Sequence, residues 1–561
     1  MTALQSISLR YRAVALLPPL GGAVALNLPN FLYPFFEDTA LFAAFGRWMH
    51  QGLLPYRDLV EQKPPAIYWI AYITHLAFGD SPVAYRLTEL LCILLLALGC
   101  AFIADQILPG ARGWSVLIAA ALCSGSFWRL PERGQVEFFQ AAAMTWSVLW
   151  ALIGLRNASG KPYFLSGLFL GVATWFKPQA ILLAVPTCIA FGLAAVHAQR
   201  PKSAYAKRVL YFAAGGLCSS LPFLAWLVAT ESLEPFLQTV ALVRGGYLGL
   251  RSQPGLWLTL SQLEPVGIPA LTRNAIVLFS ALGFAALFRS KDAGPSRWAN
   301  AVLLGGWILS AAGQFALGRF LFNYHKIILI PAVAVLTAVG SWWAVTAITK
   351  QAGRLVPSRA GFLRFGLALS AFSLVGLTPK LALEFADLCR LPFSGHRTEI
   401  WCAYGIERHY FNYCQQEQVG KYLRSNSSEH SRVQLISLGS VAFLASGRPP
   451  ATRYPIAAIA LDKRLPGHEQ RLQEFVEGLT DRRTSYVVVR FNDYFPWFGL
   501  KPGYAQVEDL PPLKRALVEH FEAEGEIVPG YFAFRRSQVP ATPAHGATFA
   551  DPAIGQPRET P

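Results

Sequence analysis

Charged residues are scarce in this chain, and so are metal and redox motifs. Only 15% of its 561 residues are charged, whereas 53% are hydrophobic and 13% aromatic, and the mean hydropathy is +0.35. This composition excludes an ordinary soluble domain and predicts an integral membrane protein. The 8 cysteines include no CxxC pair and no Cys/His cluster at metal spacing. Only Cys389, Cys402 and Cys414 are predicted outside the membrane, where two of them can pair and leave the third free.

A concentrated basic surface is also missing. The net charge is +16 and the pI about 9.5, but Lys and Arg are spread over short connections instead of forming a stripe with interleaved aromatic residues. This pattern argues against a nucleic-acid partner. No internal repeat is visible, so the inverted-repeat architecture of many secondary transporters has no support. The basic excess is interpreted as a signal of membrane topology.

Long apolar runs predict about eleven transmembrane helices. They cover 13–32, 83–106, 113–128, 135–154, 162–176, 178–196, 208–229, 266–288, 298–317, 326–347 and 361–378. The first run resembles a signal peptide, but no convincing cleavage site follows it, and we interpret it as a retained helix. Every second connection is basic and almost free of acids, which places the N-terminus in the cytoplasm by the positive-inside rule.

An odd number of spans puts the chain after about residue 379 on the outer side. The predicted fold is therefore an all-α polytopic membrane domain over 1–379, followed by a small extracytoplasmic α/β domain over 380–536. In that second domain "SRVQLISLGSVAFLASG" and "SYVVVRF" predict strands, and "LKRALVEHFEAEG" predicts an amphipathic helix. The Pro-, Ala- and Gly-rich segment 537–561 is predicted to be a disordered tail.

The first outer loop, about residues 33–82, contains most of the acids found in the outer connections between the predicted spans. It carries Glu37, Asp38, Asp58 and Glu61, with Lys63 close by. Apolar residues at helical spacing after Asp38, and a second apolar stretch after "KPP", predict two interfacial helices. An isolated Asp at a helix start can simply cap N–H groups. A carboxylate at a membrane interface can also have the raised pKa that a general base needs.

Three further segments are predicted at the same outer face. "FWRLPERGQVEFF" holds two acids and two arginines, and its simplest interpretation is a solvated turn with a surface ion pair. Lys177 of "WFKPQA" is interpreted as a lysine that snorkels to the membrane interface, unless an anion lies nearby. "GRFLFNYHKIILIPA" gathers four groups that suit an anion site. The residues of interest in the first and third segments are Arg129, Glu132, Arg133, Glu137, Arg319, Tyr324, His325 and Lys326.

Carboxylates and cations at one membrane depth suit a reaction that deprotonates a hydroxyl and expels a phosphate. At this point the residues resemble a family. An Asp after the first span, a "G…PY.D" turn, "KPP..YW" and "FG.S..A.R" follow one another between residues 37 and 87. This order is similar to the first loop of GT-C glycosyltransferases, which include protein O-mannosyltransferases and lipid A aminoarabinose transferases. The resemblance covers most of residues 30–350.

The resemblance implies a membrane enzyme that moves a sugar, with inversion, from a polyprenyl-phosphate donor to an acceptor hydroxyl outside the bacterial inner membrane. It implies that Asp38 is the catalytic carboxylate, with Glu37 beside it in reversed order from the family's usual Asp-Glu pair. Glu132 would be the second-loop acid, and Lys63 would contact the lipid phosphate. The other cations and the tyrosine would bind phosphate or sugar, namely Arg129, Arg133, Lys177, Arg319, Tyr324, His325 and Lys326.

Two absent motifs agree with a lipid-linked donor. The chain has no Asp-x-Asp, so a metal-held nucleotide sugar has no obvious site, and it has no P-loop for ATP. A divalent cation is left open. The expected acceptor is an envelope glycolipid, polysaccharide or protein. Two rival classes are a multi-pass transporter or flippase, which would place ionisable residues within the spans, and an O-antigen ligase or polymerase, which centres on a long later loop.

Overall fold

The computed structural model describes most of the chain in two compact units. The described residues are 16–108, 110–124, 134–157, 159–242, 270–289, 297–317, 323–353, 379–390, 397–405, 407–408, 411–491 and 503–538. The first unit holds the described residues within 1–57, 62–244 and 248–406, and the second those within 58–61 and 407–561. The predicted span 361–378 and nearly all of the predicted tail lie outside the described residues.

The regular secondary structure of the first unit is helical in its described residues, and loops connect the helices. Its helices are α1 (Leu17–Asn27), α2 (Glu37–His50), α3 (Ala66–Phe78), α4 (Pro82–Ile107), α5 (Arg112–Cys123), α6 (Val136–Arg156), α7 (Gly160–Phe176), α8 (Ala184–His197), α9 (Lys202–Ala229), α10 (Leu233–Leu242), α11 (Ala270–Arg289), α12 (Arg297–Leu317), α13 (Ile330–Gly353), α14 (Pro379–Arg390) and α15 (Arg397–Tyr404). Short 3₁₀ segments at Leu28–Leu32, Pro178–Leu183 and Asn323–Leu329 precede or join them.

Six helical segments among the described residues are long and apolar enough to cross a membrane. They are Pro82–Ile107, Val136–Arg156, Pro178–His197, Lys202–Ala229, Arg297–Leu317 and Tyr324–Ile348. Shorter apolar helices cover parts of the predicted spans 113–128 and 266–288. The two helices predicted in the first outer loop form as α2 and α3. The protein is a multi-pass membrane protein, as its composition predicts.

Glycine allows two of these helices to pack backbone to backbone. A Cβ on Gly167 of α7 would collide with the carbonyl oxygen of Phe212 on α9, and a Cβ on Gly215 of α9 would collide with that of Phe164 on α7. Such close approach gains dispersion energy in a membrane, where the hydrophobic effect does not hold helices together. The same arrangement recurs between α11 and α13 at Gly283 and Gly340.

We expect Gly167→Leu to disrupt this packing, because the new side chain meets backbone that cannot move aside. Overpacking of this kind costs roughly 1–3 kcal/mol or more. The expected result is a lower yield of monodisperse protein and an apparent melting temperature several degrees lower, measured by size-exclusion chromatography after heating. Gly21→Leu on α1 is the matched control, because a Cβ there has nothing within 4 Å. Equal thermal stability of the two variants would contradict this packing account.

The second unit is a small α/β domain. It contains β1 (Glu407–Arg408), β2 (Phe411–Asn412), α16 (Tyr413–Asn426), β3 (Arg432–Ile436), α17 (Ser440–Ser446), α18 (Ala457–Leu461), α19 (His468–Thr480), β4 (Thr484–Arg490), α20 (Gly503–Asp509), α21 (Pro511–His520), β5 (Phe521–Val528) and β6 (Tyr531–Arg536). The four-stranded sheet has the order β3-β4-β6-β5, with β3 and β4 parallel and the other neighbours antiparallel.

Two strand and helix predictions in this unit are wrong in part. The segment "SVAFLAS" forms helix α17, which ends at Gly447 in the left-handed conformation (φ 69°). Its apolar residues are buried on every side, so their pattern could not separate a strand from a helix. "FEAEG" forms the start of β5 instead of extending α21, because it pairs with β6. The strand predicted from "SYVVVRF" forms as β4.

The acids of the first loop separate between the two units. Asp58 and Glu61 belong to the second unit, where the backbone N–H of Val60 donates to the carbonyl oxygen of Arg453 at 2.6 Å. Glu37, Asp38 and Lys63 belong to the first unit. The contact described for Asp38 is with Lys63 and lies within the first unit, so the chemistry predicted for this loop starts from that pair.

Candidate active site

Asp38 lies in the first turn of α2, where the positive end of the helix favours a carboxylate. The N-cap residue of this helix is Phe36, and its backbone N–H donates to the hydroxyl of Thr39 at 2.9 Å. The side chain of Asp38 is 22% exposed, whereas Glu37 is buried. Of the two neighbouring acids, Asp38 is therefore the one that is accessible from outside the protein.

Lys63 pairs with Asp38 inside the first unit. Its Nζ lies 3.4 Å from Oδ1 of Asp38 and 5.0 Å from the centroid of the Phe42 ring. Tyr56, fully buried, donates its hydroxyl to the carbonyl oxygen of Lys63 at 2.6 Å. The tyrosine of the "PY.D" turn thus fixes the backbone of the "KPP" lysine. At 3.4 Å this contact is longer than a usual charge-assisted hydrogen bond.

A second charged cluster is built around Glu137 at the start of α6. Lys177 Nζ lies 2.6 Å from Glu137 Oε1, and His325 Nε2 lies 3.3 Å from the same oxygen. Glu137 and His325 are buried, and Tyr324 packs edge to face on the His325 ring with centroids 4.6 Å apart. This cluster brings together three segments that are distant in sequence. Lys177 therefore neutralises a carboxylate here, and its contact is much tighter than that of Lys63.

Two buried glutamines extend the Glu137 cluster between helices. Gln140 Nε2 donates to Gln314 Oε1 at 2.8 Å and to the carbonyl oxygen of Lys177 at 3.3 Å. Gln140 lies one turn after Glu137 on α6, and Gln314 comes from α12. A polar network of this kind is expected to hold its helices in one arrangement when its groups are satisfied.

The described residues do not form a metal centre. No group of three or more His, Cys, Asp or Glu side chains that could hold a metal ion occurs among them. Asp38 and Glu137 are instead each paired with a cation from another segment. These pairs of opposite charge suit anion binding and proton transfer.

Comparison with known proteins decides the fold. The structure aligns with crystal structures of ArnT from Cupriavidus metallidurans bound to undecaprenyl phosphate (15% identity, TM-score 0.55, 97% of this chain and 100% of that chain) and of the Archaeoglobus fulgidus oligosaccharyltransferase (13% identity, TM-score 0.53, 94% and 75%). The chain has the GT-C glycosyltransferase fold. At these identities the alignments establish the GT-C fold alone, and they confirm the predicted fold class.

Sequence comparisons agree with the GT-C assignment. Residues 62–226 match the family model described as dolichyl-phosphate-mannose-protein mannosyltransferase. The undecaprenyl phosphate-alpha-4-amino-4-deoxy-L-arabinose arabinosyl transferase 2 of Proteus mirabilis (strain HI4320) is 25% identical over 196 residues. That match spans about a third of each chain (34% of both). The GT-C likeness thus reaches beyond the first loop, and nothing in these comparisons supports the transporter alternative.

Most of the predicted site residues lie in or beside two clusters, and the others lie outside the described residues. Asp38 and Lys63 lie together, as do Lys177, Tyr324 and His325 around Glu137. Lys326 is buried next to that second cluster in sequence, and Glu37 is buried beside Asp38. The predicted residues that lie outside the described part of the chain are Arg129, Glu132, Arg133 and Arg319.

Sequence reasoning did not select Glu137, Gln140 or Gln314 for the site. The resemblance points to Glu132 as the second-loop acid and assigns no role to Glu137 of the same segment. A usable signal existed, since an acid two residues inside a predicted span is costly to bury without a partner. The partners Lys177 and His325 come from 40 and 188 residues away in sequence, so no local pattern reveals them.

We expect Glu137 and Lys177 to be strongly coupled, because removing either leaves the other charge unpaired at a largely buried site. Glu137→Gln and Lys177→Met should each lower the melting temperature, and the double variant should lose less than the sum. The coupling expected for contacting residues is roughly 0.5–3 kcal/mol. The measurement is a double-mutant cycle of thermal stability in lipid nanodiscs.

The pair Glu508 and Lys514 is the control for this cycle, because both of its side chains are more exposed. Lys514 Nζ lies 2.5 Å from Glu508 Oε2, and the side chains are 39% and 31% exposed for Lys514 and Glu508. A surface pair of this kind is worth about 0–1 kcal/mol. A coupling for Glu137 and Lys177 no larger than that of the control pair would contradict the proposed charge cluster.

Proposed function

We propose that this protein is a membrane glycosyltransferase that moves a sugar from a polyprenyl-phosphate donor to an acceptor hydroxyl. The acceptor is an envelope glycolipid, polysaccharide or protein, and transfer inverts the anomeric carbon. The observation that carries the proposal is the partly exposed Asp38 carboxylate with Lys63 at 3.4 Å. It is supported by the GT-C fold, by the family match over residues 62–226 and by the similar proteins, one named as an undecaprenyl phosphate-aminoarabinose transferase and one crystallised with undecaprenyl phosphate.

In the proposed step the acceptor hydroxyl attacks the anomeric carbon from the side opposite the phosphate. The oxygen forms the new glycosidic bond as the bond from the anomeric carbon to the phosphate oxygen breaks. The hydroxyl proton passes to Asp38, and the electron pair leaves with polyprenyl phosphate. Asp38 contributes as general base. Lys63 stabilises the negative charge that grows on the phosphate, which is the usual role of a placed cation in such a transfer.

Lys63 is the cation that lies beside the proposed base. Lys177 lies 2.6 Å from the buried Glu137 and neutralises that carboxylate. We therefore propose Lys63 as the main phosphate ligand and the Glu137 cluster as a second charged group in the same unit. Tyr324, His325 and Lys326 stay candidates for phosphate or sugar contacts.

We place the reaction at the outer face of the bacterial inner membrane, with the N-terminus in the cytoplasm. The charge bias of the loops supports this orientation. Cys402 and Cys414 are disulfide-bonded, whereas Cys389 is free. Disulfides persist in oxidising compartments such as the periplasm and are rare in the cytosol. This observation supports an outer location for the segment that follows α14.

A donor panel tests the proposed function. Purified protein in lipid nanodiscs is given radiolabelled undecaprenyl-phosphate sugars, or the matching nucleotide sugars, together with a crude envelope extract. We expect label to enter a product from at least one lipid-linked sugar and from no nucleotide sugar. Transfer from a nucleotide sugar in the absence of any lipid donor would contradict the proposal, as would the absence of turnover with every lipid donor.

A further inference from the structure

Arg86 on α4 is buried, and two nitrogens of its guanidinium donate to backbone carbonyl oxygens. Its Nε donates to the carbonyl oxygen of Tyr33 at 3.1 Å, and Nη2 donates to that of Pro34 at 2.8 Å. Nη1 bonds to Glu89, which is equally buried and balances the charge. The planar fork of an arginine can satisfy several acceptors in fixed directions, whereas a lysine offers one point of donation.

The backbone that Arg86 holds leads directly to Asp38. Residues 33–36 link the 3₁₀ segment Leu28–Leu32 to α2 and belong to no helix or strand. Carbonyl groups in such a buried link need partners from elsewhere. Tyr33 is fixed a second time, because its hydroxyl donates to Glu384 Oε1 at 2.6 Å. Asp38 follows Pro34 by only four residues, so the position of this link sets the position of the carboxylate.

The same two turns of α4 also contact the segment that leads to Glu137. The hydroxyl of Tyr85 donates to the carbonyl oxygen of Gly134 at 3.3 Å. Gly134 has a φ of 79°, and a Cβ there would collide with Glu89 Oε1. Glu137 follows Gly134 by three residues. The start of α4 thus forms hydrogen bonds to the backbone segments that precede Asp38 and Glu137.

Stability alone is a weak explanation for this arrangement. A buried ion pair is often worth no more than apolar side chains of the same volume, because both charges lose their hydration. A bidentate grip on two successive carbonyl groups does, however, fix a link that has no regular structure of its own. The distances and burial around Arg86 therefore point to a role in geometry.

We infer that Arg86, balanced by Glu89, is a positioning residue for the proposed transfer. It acts through the backbone of residues 33–34 to place Asp38 against Lys63, and it does not touch the substrate. This inference rests on the proposed function, because it assumes that Asp38 is the base. It assigns a task to the last residue of the "FG.S..A.R" pattern, which the sequence comparison left without one.

The test combines Arg86→Lys with Asp38→Asn. A displacement of a reacting group by about 1 Å can cost about 100-fold in rate, so we expect Arg86→Lys to lower kcat by roughly 10- to 100-fold. The donor KM should change by less than about threefold, since the residue does not bind substrate. In the Asp38→Asn background Arg86→Lys should cause no further loss, because the group that it positions is already gone. Arg112→Lys, at the first residue of α5, is the control and should leave kcat unchanged.

Each outcome has a distinct meaning. A folded Arg86→Lys variant with wild-type kcat overturns the positioning role, and so do losses that multiply in the double variant. If Asp38→Asn itself has wild-type activity, the proposed base is wrong, and the inference fails with it for that separate reason. If Arg86→Lys does not fold, Tyr33→Phe replaces it in the same cycle. That variant removes only the hydroxyl that fixes the link, and we expect kcat about two- to tenfold lower, again with no further loss beside Asp38→Asn.

Discussion

Asp38→Asn is expected to lower sugar transfer by about two to four orders of magnitude, the range for loss of a general base. The amide has the shape of the carboxylate but cannot accept the proton of the attacking hydroxyl. Donor binding should survive, because Lys63 is retained and loses only a partner from which it was 3.4 Å away. Loss of kcat with little change in donor affinity is therefore the predicted signature.

The measurement compares initial rates and equilibrium binding of the donor in the same nanodiscs. Asp105→Asn is the matched control, because Asp105 is also a partly exposed acid beside a cation, Arg112. We expect wild-type turnover from that control. An Asp38→Asn variant that transfers sugar as fast as the control would remove Asp38 from the role of base.

Lys63→Met is the second large effect that we expect. Methionine retains the apolar stem that packs near Phe42, so the change removes mainly the charge. Transfer should fall by about 100- to 1,000-fold, the range for losing one placed donor to developing charge. Donor affinity should fall as well, which distinguishes this variant from Asp38→Asn. Lys63→Arg should recover part of both, since it restores the charge with a different shape.

Binding of undecaprenyl phosphate, without any sugar, isolates the phosphate contact of Lys63. We expect the wild-type protein to bind it more tightly than Lys63→Met does. Lys421→Met serves as the control, because Lys421 is an exposed cation (57%) on α16 of the second unit. Equal binding by the Lys63 and Lys421 variants would contradict the assignment of Lys63 to the lipid phosphate.

The first loop shows how much of this site a sequence can predict. The helices after Glu37 and after "KPP" form where their apolar spacing indicates, because that spacing is local. The ordered set of motifs predicts that Asp38 and Lys63 belong to one site, but their contact, across 25 residues, is visible only in the structure. The division of the acids between two units has no signal in the sequence. Asp58 and Glu61 belong to the second unit, and nothing local distinguishes them from Asp38.

The remaining parts of the site depend on contacts between distant segments. Glu137 is recognised as a site residue by its contacts with Lys177 and His325. Arg86 is recognised by its hydrogen bonds to the backbone of Tyr33 and Pro34, about 52 residues earlier. A pattern of side chains cannot reveal a side chain that binds backbone carbonyl groups. The second unit has a similar limit at "SVAFLAS", where burial on every side leaves no periodicity to distinguish a helix from a strand.

The most direct test of the account counts two products in one sample. Nanodiscs that contain the wild-type protein and an active lipid-linked donor are assayed for sugar transferred and for polyprenyl phosphate released, and the Asp38→Asn variant is assayed beside them. We expect one polyprenyl phosphate for each sugar transferred by the wild type. The variant should form both products about two to four orders of magnitude more slowly while it still binds donor. Sugar transfer without matching release of the lipid phosphate, or equal release by both proteins, would contradict the account.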